Sequence, residues 1–122
     1  MLHTETVEPI TLAVLKELMQ KNYLEQFVLV GGTALALQIG HRKSVDLDMF
    51  TISDFQSDSL IASLITDFEL TTSFQMPQTL ICNINEIKVD FIRFRYPFYF
   101  LPSYTLVQNI RVWHILSIFK IG

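Results

Sequence analysis

Two carboxylates stand two positions apart in the segment 45–50, whose sequence is Val-Asp-Leu-Asp-Met-Phe. Its alternation of apolar and acidic residues predicts a β-strand, and the period of two places Asp46 and Asp48 on the same face. Neighbouring carboxylates repel each other, which costs stability unless a cation or another partner lies between them. Asp46 and Asp48 are therefore candidate ligands for a divalent metal ion.

A glycine pair, Gly31 and Gly32, follows the apolar run 27–30, which predicts a short buried strand. The pair predicts a sharp turn and a close approach of the backbone to a ligand. Thr33 then opens the apolar segment 34–39, which predicts a short helix. A glycine bend at a helix start presents backbone N–H groups and a positive helix end, both suited to a phosphate. With the two acids, this predicts a phosphate cradle facing a divalent-metal site, as a nucleotide–Mg²⁺ complex requires.

A third acid, Asp90, interrupts an otherwise apolar strand pattern over 87–94. The period of two places Ile87, Val89 and Phe91 on one face, and Lys88, Asp90, Ile92 and Phe94 on the other. Burying an unpaired carboxylate in such a strand is costly, so Asp90 needs a metal, a cation or water beside it.

The elements that must position these acids follow from hydrophobic periodicity. Helices are predicted over 9–21 and 55–67, and strands over 69–75, 80–84 and 87–94. The last two strands are joined by a hairpin around Asn83-Ile84-Asn85-Glu86. The buried stripes are expected to be Ile10, Leu12, Leu15, Leu18 and Met19 in the first helix, and Leu60, Ile61, Leu64, Ile65 and Phe68 in the second. Segment 96–104 predicts an aromatic loop that packs on the core or stacks on a base, and 106–122 predicts a helical or mixed apolar ending.

Composition predicts a single domain over residues 1–122. The net charge of −3 lacks the overall positive charge typical of nucleic-acid-binding proteins, so any nucleic-acid contact would need a local basic patch. The chain is half apolar, so we expect a missing segment, self-association or a partner to cover excess apolar surface. Cys82 is the only cysteine, which excludes an internal disulfide, fits a reducing cytoplasm and indicates a packed thiol more than a reactive one. No apolar run approaches the roughly 18 residues of a membrane span, so we expect a soluble, cytoplasmic protein.

The motifs together resemble a known family. Gly31-Gly32-Thr33, followed by Asp46-Leu47-Asp48, is similar to the glycine-rich and Asp-x-Asp signature of the DNA polymerase β-like nucleotidyltransferase superfamily. The fuller pattern, with the basic link His41-Arg42-Lys43-Ser44 before the acids, resembles more narrowly the nucleotidyltransferase AbiEii/AbiGii toxin family. The resemblance is close over 27–51 and looser through residue 98.

That resemblance implies an α/β (α+β) nucleotidyltransferase fold, with a mixed sheet of four or five strands and helices mainly on one face. It implies that Asp46, Asp48 and Asp90 are catalytic and hold Mg²⁺, two ions in all, together with the triphosphate of an NTP. It further implies nucleotide-binding roles for Gly31, Gly32, Thr33, Arg42, Ser44 and Lys120. For Lys120 an exposed helix end is an equal alternative, and His41 is expected to brace the loop more than to act as a base.

The function implied is that of a toxin in a toxin–antitoxin or phage-defence system. It would transfer a nucleotide from an NTP to an RNA end, such as that of a tRNA, or to a protein hydroxyl. A cognate antitoxin and a homo-oligomer are the implied partners. Family members are longer, and Ile115 stands where their C-terminal motif has an acid, so we expect the helical C-terminal part to be missing or incomplete. The alternative function is an inactive or truncated module that binds nucleotide or a partner protein without turnover.

Overall fold

The computed structural model describes residues 7–31, 46–94, 104–107 and 110–113. The helices are α1 (Pro9–Met19), a short 3-10 helix (Asn22–Leu24) and α2 (Ser57–Asp67). The strands are β1 (Val28–Val30), β2 (Leu47–Thr51), β3 (Leu70–Met76), β4 (Thr79–Ile84), β5 (Ile87–Arg93), β6 (Tyr104–Val107) and β7 (Ile110–Trp113). The predicted helix 34–39 and most of the predicted aromatic loop lie outside these ranges.

The seven strands form one mixed sheet in the order β3-β4-β5-β2-β1-β7-β6. At its centre β2 pairs parallel with β5 and antiparallel with β1. Strands β3, β4 and β5 form an antiparallel meander on one side. On the other side β7 pairs parallel with β1, and β6 is the antiparallel edge strand beside β7. The predicted α/β class is therefore confirmed.

The sheet is larger than the four or five strands predicted, because β6 and β7 come from a segment for which the sequence predicted a helical or mixed ending. The segment Ile110-Arg111-Val112-Trp113 has one polar residue between two β-branched ones and ends in an aromatic, and both types favour a strand. Ile110 and Val112 are fully buried, which is the one-sided burial of a strand.

One face of the sheet carries the hydrophobic core, and both described helices pack against it. Alternate residues of the central strands are buried there, among them Met49, Phe91 and Cys82. The apolar sides of α1 and α2 belong to the same core. At its middle the ring of Phe27 meets Phe91 edge-on at a centroid distance of 5.2 Å. The predicted placement of the helices mainly on one face therefore holds for the residues described.

Two isoleucines predicted to be buried are exposed. Ile10 of α1 is 66% exposed and Ile65 of α2 is 58% exposed. Each is five positions from a buried leucine, Leu15 or Leu60, and five positions correspond to about 140° around a helix. Each isoleucine therefore lies on the flank of its helix, while Thr11 and Val14 complete the buried side of α1.

The hairpin between β4 and β5 positions Asp90, and it is present as predicted. Its turn residues Asn85 and Glu86 have φ of 50° and 71°, the left-handed conformation that tight hairpin turns require. The Asn85 side-chain oxygen accepts a hydrogen bond from the Glu69 N–H at 3.1 Å. The register that follows pairs Asp90 with Ile81 on β4, and β5 then continues into the parallel pairing with β2.

Strand β7 is held to the start of the sheet by one side chain. The Arg111 guanidinium donates hydrogen bonds to the backbone carbonyls of Phe27 at 2.8 Å, Leu24 at 2.9 Å and Met19 at 3.5 Å. These carbonyls belong to the segment that leads from α1 into β1. Arg111 therefore fixes β7 against the chain that enters the central strands.

Candidate metal and nucleotide site

The structure brings two of the predicted acids together. Asp48 on β2 and Asp90 on β5 are direct neighbours across the parallel pair, where strands lie roughly 4.8 Å apart. Both alternate with buried core residues, Met49 and Phe91, so their carboxylates lie on the face opposite the core. Asp48 is partly buried and the Asp90 side chain is only 14% exposed. Two partly buried like charges therefore share one small area of the sheet.

The electrostatic cost of this arrangement falls on Asp48. Burial raises the pKa of its carboxyl above the ordinary value, and the negative charges of Asp90 and, more weakly, Asp46 raise it further, while Lys88 lowers it. A raised pKa means that the ionised form is disfavoured in the fold as it stands. A divalent cation bound at this point would reverse that effect.

One carboxylate oxygen of Asp90 lacks a partner. Its Oδ1 is buried, with no hydrogen bond from any residue that the structure describes. Its Oδ2 lies 3.6 Å from the Lys88 ammonium nitrogen. A buried carboxylate oxygen without a donor is costly, because it has given up water and received nothing in return. Such an atom is suited to a cation.

Gly31 makes room for the Asp48 carboxylate. It follows Val30, the cross-strand partner of Asp48, and its φ of +73° lies in the left-handed region. A Cβ at this position would lie 2.3 Å from Asp48 Oδ2 and 3.0 Å from its Cγ. The sharp backbone turn predicted at the first glycine is therefore present, and it brings the main chain against an acid of the site.

Asp46 is exposed and directly precedes β2. It shares the parity of Asp48, and its charge contributes to the raised pKa of Asp48. Within 7–31, 46–94 and the two C-terminal strands, no three His, Cys, Asp or Glu side chains gather closely enough to hold one metal ion. The donors that the fold brings together are Asp48 and Asp90, and the role of Asp46 stays a prediction.

Five of the predicted nucleotide-binding residues lie outside the described ranges, and their roles also stay predictions: Gly32, Thr33, Arg42, Ser44 and Lys120. One residue of the site received no role from the sequence. Lys88 was placed on the face of Asp90 by its period, and its ammonium pairs with that acid. The sequence feature that could have indicated this pair is a lysine two positions before an acid on one strand, Lys88 before Asp90.

The residues present fit a Mg²⁺ ion. Magnesium in nucleotide sites is usually held by one or two carboxylates, with substrate phosphates and water completing its oxygen ligands. Asp48 and Asp90 supply two adjacent carboxylates, and the Asp90 Oδ1 atom is buried without a partner among the described residues. The absent Cβ of Gly31 keeps the space in front of Asp48 open to its carboxylate.

The sequence of this chain matches a known protein family. Residues 13–112 match the family described as the nucleotidyl transferase AbiEii toxin of a type IV toxin–antitoxin system. This chain belongs to the AbiEii family. The predicted membership of this family is therefore confirmed, and the matched region contains Gly31, Asp46, Asp48 and Asp90.

The chain also has a relative of known sequence. An uncharacterized protein of Aquifex aeolicus (strain VF5) is 35% identical over 110 residues, which cover 88% of this chain and 50% of that protein. The chain thus spans half the length of this relative. No helix in the described parts of the AbiEii-family chain is long and apolar enough to cross a membrane.

Solved structures show the same fold. A Thermotoga maritima protein described as a nucleotidyltransferase superposes with a TM-score of 0.66 at 16% identity, over 94% of this chain and 84% of that one. A Helicobacter pylori protein described in the same way gives a TM-score of 0.53 at 16% identity, over 93% of this chain and 58% of its own length. At this identity the likeness establishes the fold of the AbiEii-family chain.

Proposed function

We propose that this AbiEii-family domain binds a nucleoside triphosphate together with Mg²⁺. The α-phosphate is transferred as NMP to an acceptor hydroxyl on RNA or protein, and the bond to the β-phosphate breaks with release of pyrophosphate. The observation that supports the proposal best is the Asp48–Asp90 pair, with an unpartnered buried Asp90 oxygen. Two adjacent carboxylates beside a glycine bend provide cation ligands and main-chain donors for phosphate in one place.

The roles follow from position. Asp48 and Asp90 would hold one cation, and Asp46, which directly precedes β2, would add a carboxylate for the second ion. Bound Mg²⁺ would neutralise phosphate charge and lower the pKa of the acceptor hydroxyl. Asp90 would act on that hydroxyl through the metal that it helps to hold, since its Oδ1 has no donor among the described residues.

The triphosphate would lie beside Asp48 on the β1 side of β2, away from β5. There Gly31 brings main chain against Asp48, and the backbone of Gly32 with the Thr33 hydroxyl would continue the cradle. Arg42 and Ser44 would reach phosphate from the basic link, with Lys120 as a further cation. An arginine suits bidentate phosphate binding.

The family description motivates the biological role. We propose that the protein is the toxin of a toxin–antitoxin pair that acts in phage defence in the cytoplasm, and that a cognate antitoxin neutralises it. Co-expression of a candidate antitoxin should restore the growth of cells that express the full-length protein. A full-length protein that transfers nucleotide but does not slow growth would contradict the toxin role.

The nucleotide site is tested by calorimetric titration of the chain with each NTP, with Mg²⁺ and with EDTA. We expect wild-type binding only with Mg²⁺, and a loss of at least about tenfold in Asp48→Asn and Asp90→Asn, because each substitution removes one anionic ligand. Asp58→Asn is the matched control, since this exposed acid on α2 lies away from the site. Unchanged Mg²⁺-dependent binding in both site variants would contradict the proposal.

Turnover is a separate question with its own measurement. Labelled NTP incubated with total RNA and with protein acceptors should yield a labelled product in wild type and none in Asp90→Asn. Metal-dependent NTP binding without any product would favour the alternative function, a nucleotide-binding module without turnover.

A further inference from the structure

Lys88 places a positive charge beside the two acids. It lies two positions before Asp90 on β5, and its ammonium nitrogen is 3.6 Å from Asp90 Oδ2. The charge also reaches Asp48, since Lys88 favours the ionised form of that carboxyl. Among the residues that the structure describes, Lys88 thus supplies a positive charge that offsets part of the repulsion between Asp48 and Asp90.

The Lys88–Asp90 pair is held loosely on the lysine side. The Lys88 side chain is 51% exposed, whereas Asp90 is 14% exposed. A distance of 3.6 Å is an ion pair without a short hydrogen bond. An exposed, four-carbon stem lets the ammonium leave at small cost, but the acid it leaves behind stays buried.

We propose that Lys88 is a tethered counter-cation that stands in for a metal ion beside Asp48 and Asp90 and withdraws when Mg²⁺ enters with the nucleotide. This inference rests on the proposed metal–nucleotide site. A divalent ion at the two acids and the Lys88 ammonium repel each other, so both cannot occupy the pair at full strength. Lys88 therefore weakens the binding of free metal.

The nucleotide changes this balance. The negative charge of its triphosphate offsets the positive charge of the metal ion. The withdrawn Lys88 ammonium can then contact a phosphate oxygen or water. Metal and nucleotide should consequently bind with positive coupling, and each should bind weakly alone. With Lys88 present, the site would bind the metal–nucleotide complex in preference to the free metal ion.

The first test measures Mn²⁺ binding without nucleotide, by electron paramagnetic resonance, in wild type, Lys88→Met, Lys88→Arg and Lys16→Met. Removing one positive charge near 4 Å should tighten Mn²⁺ binding about fivefold to tenfold at a partly solvated site. Lys88→Arg keeps the charge and should stay near wild type. Lys16→Met removes an equal charge from an exposed position on α1 and should change nothing. Equal, weaker or unmeasurable Mn²⁺ binding in Lys88→Met would overturn the inference.

The second test needs no metal. In EDTA, Lys88→Met should lower the melting temperature by about 3 °C, because it exposes the two acids to each other's charge. In the Asp90→Asn background the same change should have a clearly smaller effect, because the repulsion between Asp48 and Asp90 has been removed and only that from Asp46 remains. An equal loss in both backgrounds would mean that Lys88 acts by packing, and would also overturn the inference.

These results separate the inference from the proposed function. Tighter Mn²⁺ binding in Lys88→Met, with no Mg²⁺-dependent NTP binding by wild type, would support the counter-cation and contradict the nucleotide site. Mg²⁺-dependent NTP binding by wild type, with unchanged Mn²⁺ affinity in Lys88→Met, would support the nucleotide site and contradict the counter-cation.

Discussion

Replacing Gly31 by alanine tests how closely the backbone approaches Asp48. The new Cβ would lie 2.3 Å from Asp48 Oδ2 and 3.3 Å from Asp48 Cβ. The first contact is impossible and the second is tight, so the Asp48 carboxylate must rotate away. The φ of +73° at Gly31 adds a second cost, because L-residues rarely adopt the left-handed region.

The two costs differ in their dependence on Asp48. Left-handed strain at an alanine is about 1–2 kcal/mol, whatever residue stands at position 48. The collision exists only while Asp48 carries its carboxylate, and neighbouring substitutions couple by about 0.5–3 kcal/mol. We therefore expect Gly31→Ala to lower stability by about 2–3 kcal/mol in wild type. The loss should be smaller in Asp48→Ala, where only the strain and the Cβ contact remain.

The assay is a double-mutant cycle by urea denaturation on wild type, Gly31→Ala, Asp48→Ala and the double variant, all in EDTA. The same proteins are then titrated with Mg²⁺ and NTP. Gly31→Ala should lose metal-dependent nucleotide binding while it stays folded, because its displaced carboxylate no longer faces Asp90. A loss of stability that is equal in the two backgrounds would refute the close approach of Gly31 to Asp48.

Three further predictions concern the same residues and the core around them. In EDTA, Asp48→Asn should be more stable than wild type at pH 7 and should lose this advantage near pH 3. The pKa of Asp48 is raised in the fold, so wild-type stability falls as the pH rises above the unfolded pKa of about 3.9. Burial raises the pKa of the Cys82 thiol to about 12, so thiol reagents at pH 8 should label the native protein at least about 1000-fold more slowly than the unfolded chain. Arg111→Met should cost about 2–3 kcal/mol in urea denaturation, because it leaves the Phe27 and Leu24 carbonyls without a charged donor.

Each of these has an outcome that contradicts it. A constant stability gap between Asp48→Asn and wild type from pH 3 to pH 7 would mean that Asp48 keeps its ordinary pKa. Rapid labelling of the native thiol would mean that Cys82 is accessible. An Arg111→Met variant as stable as wild type, alongside a Lys16→Met control, would mean that the three hydrogen bonds contribute nothing net.

Much of the site was predictable because it depends on strand periodicity. The alternation around Asp48 and Asp90 predicts which face each acid occupies, and the parallel pairing of β2 with β5 then makes them neighbours. The glycine bend was predictable because few residues adopt the left-handed conformation that Gly31 has. Local sequence encodes both features directly.

Other features depend on tertiary contacts that local patterns do not encode. The periodicity of α1 included Ile10, but which side of the apolar stripe meets the sheet is decided by packing, and Ile10 remains exposed. The strand β7 exists because it finds β1 as a parallel partner, and Arg111 secures it by contacts that reach back to Leu24 and Phe27. Lys88 gained its role only when its ammonium was placed beside Asp90.

The central claim is that Asp48 and Asp90 together hold the metal of a nucleotide complex. A crystal of the chain grown with Mn²⁺ and a non-hydrolysable NTP, measured at the manganese absorption edge, tests it most directly. We predict an anomalous peak within coordination distance of both carboxylates, with a phosphate oxygen as a further ligand. A manganese peak at any other place, with the Lys88–Asp90 ion pair still closed, would contradict the account.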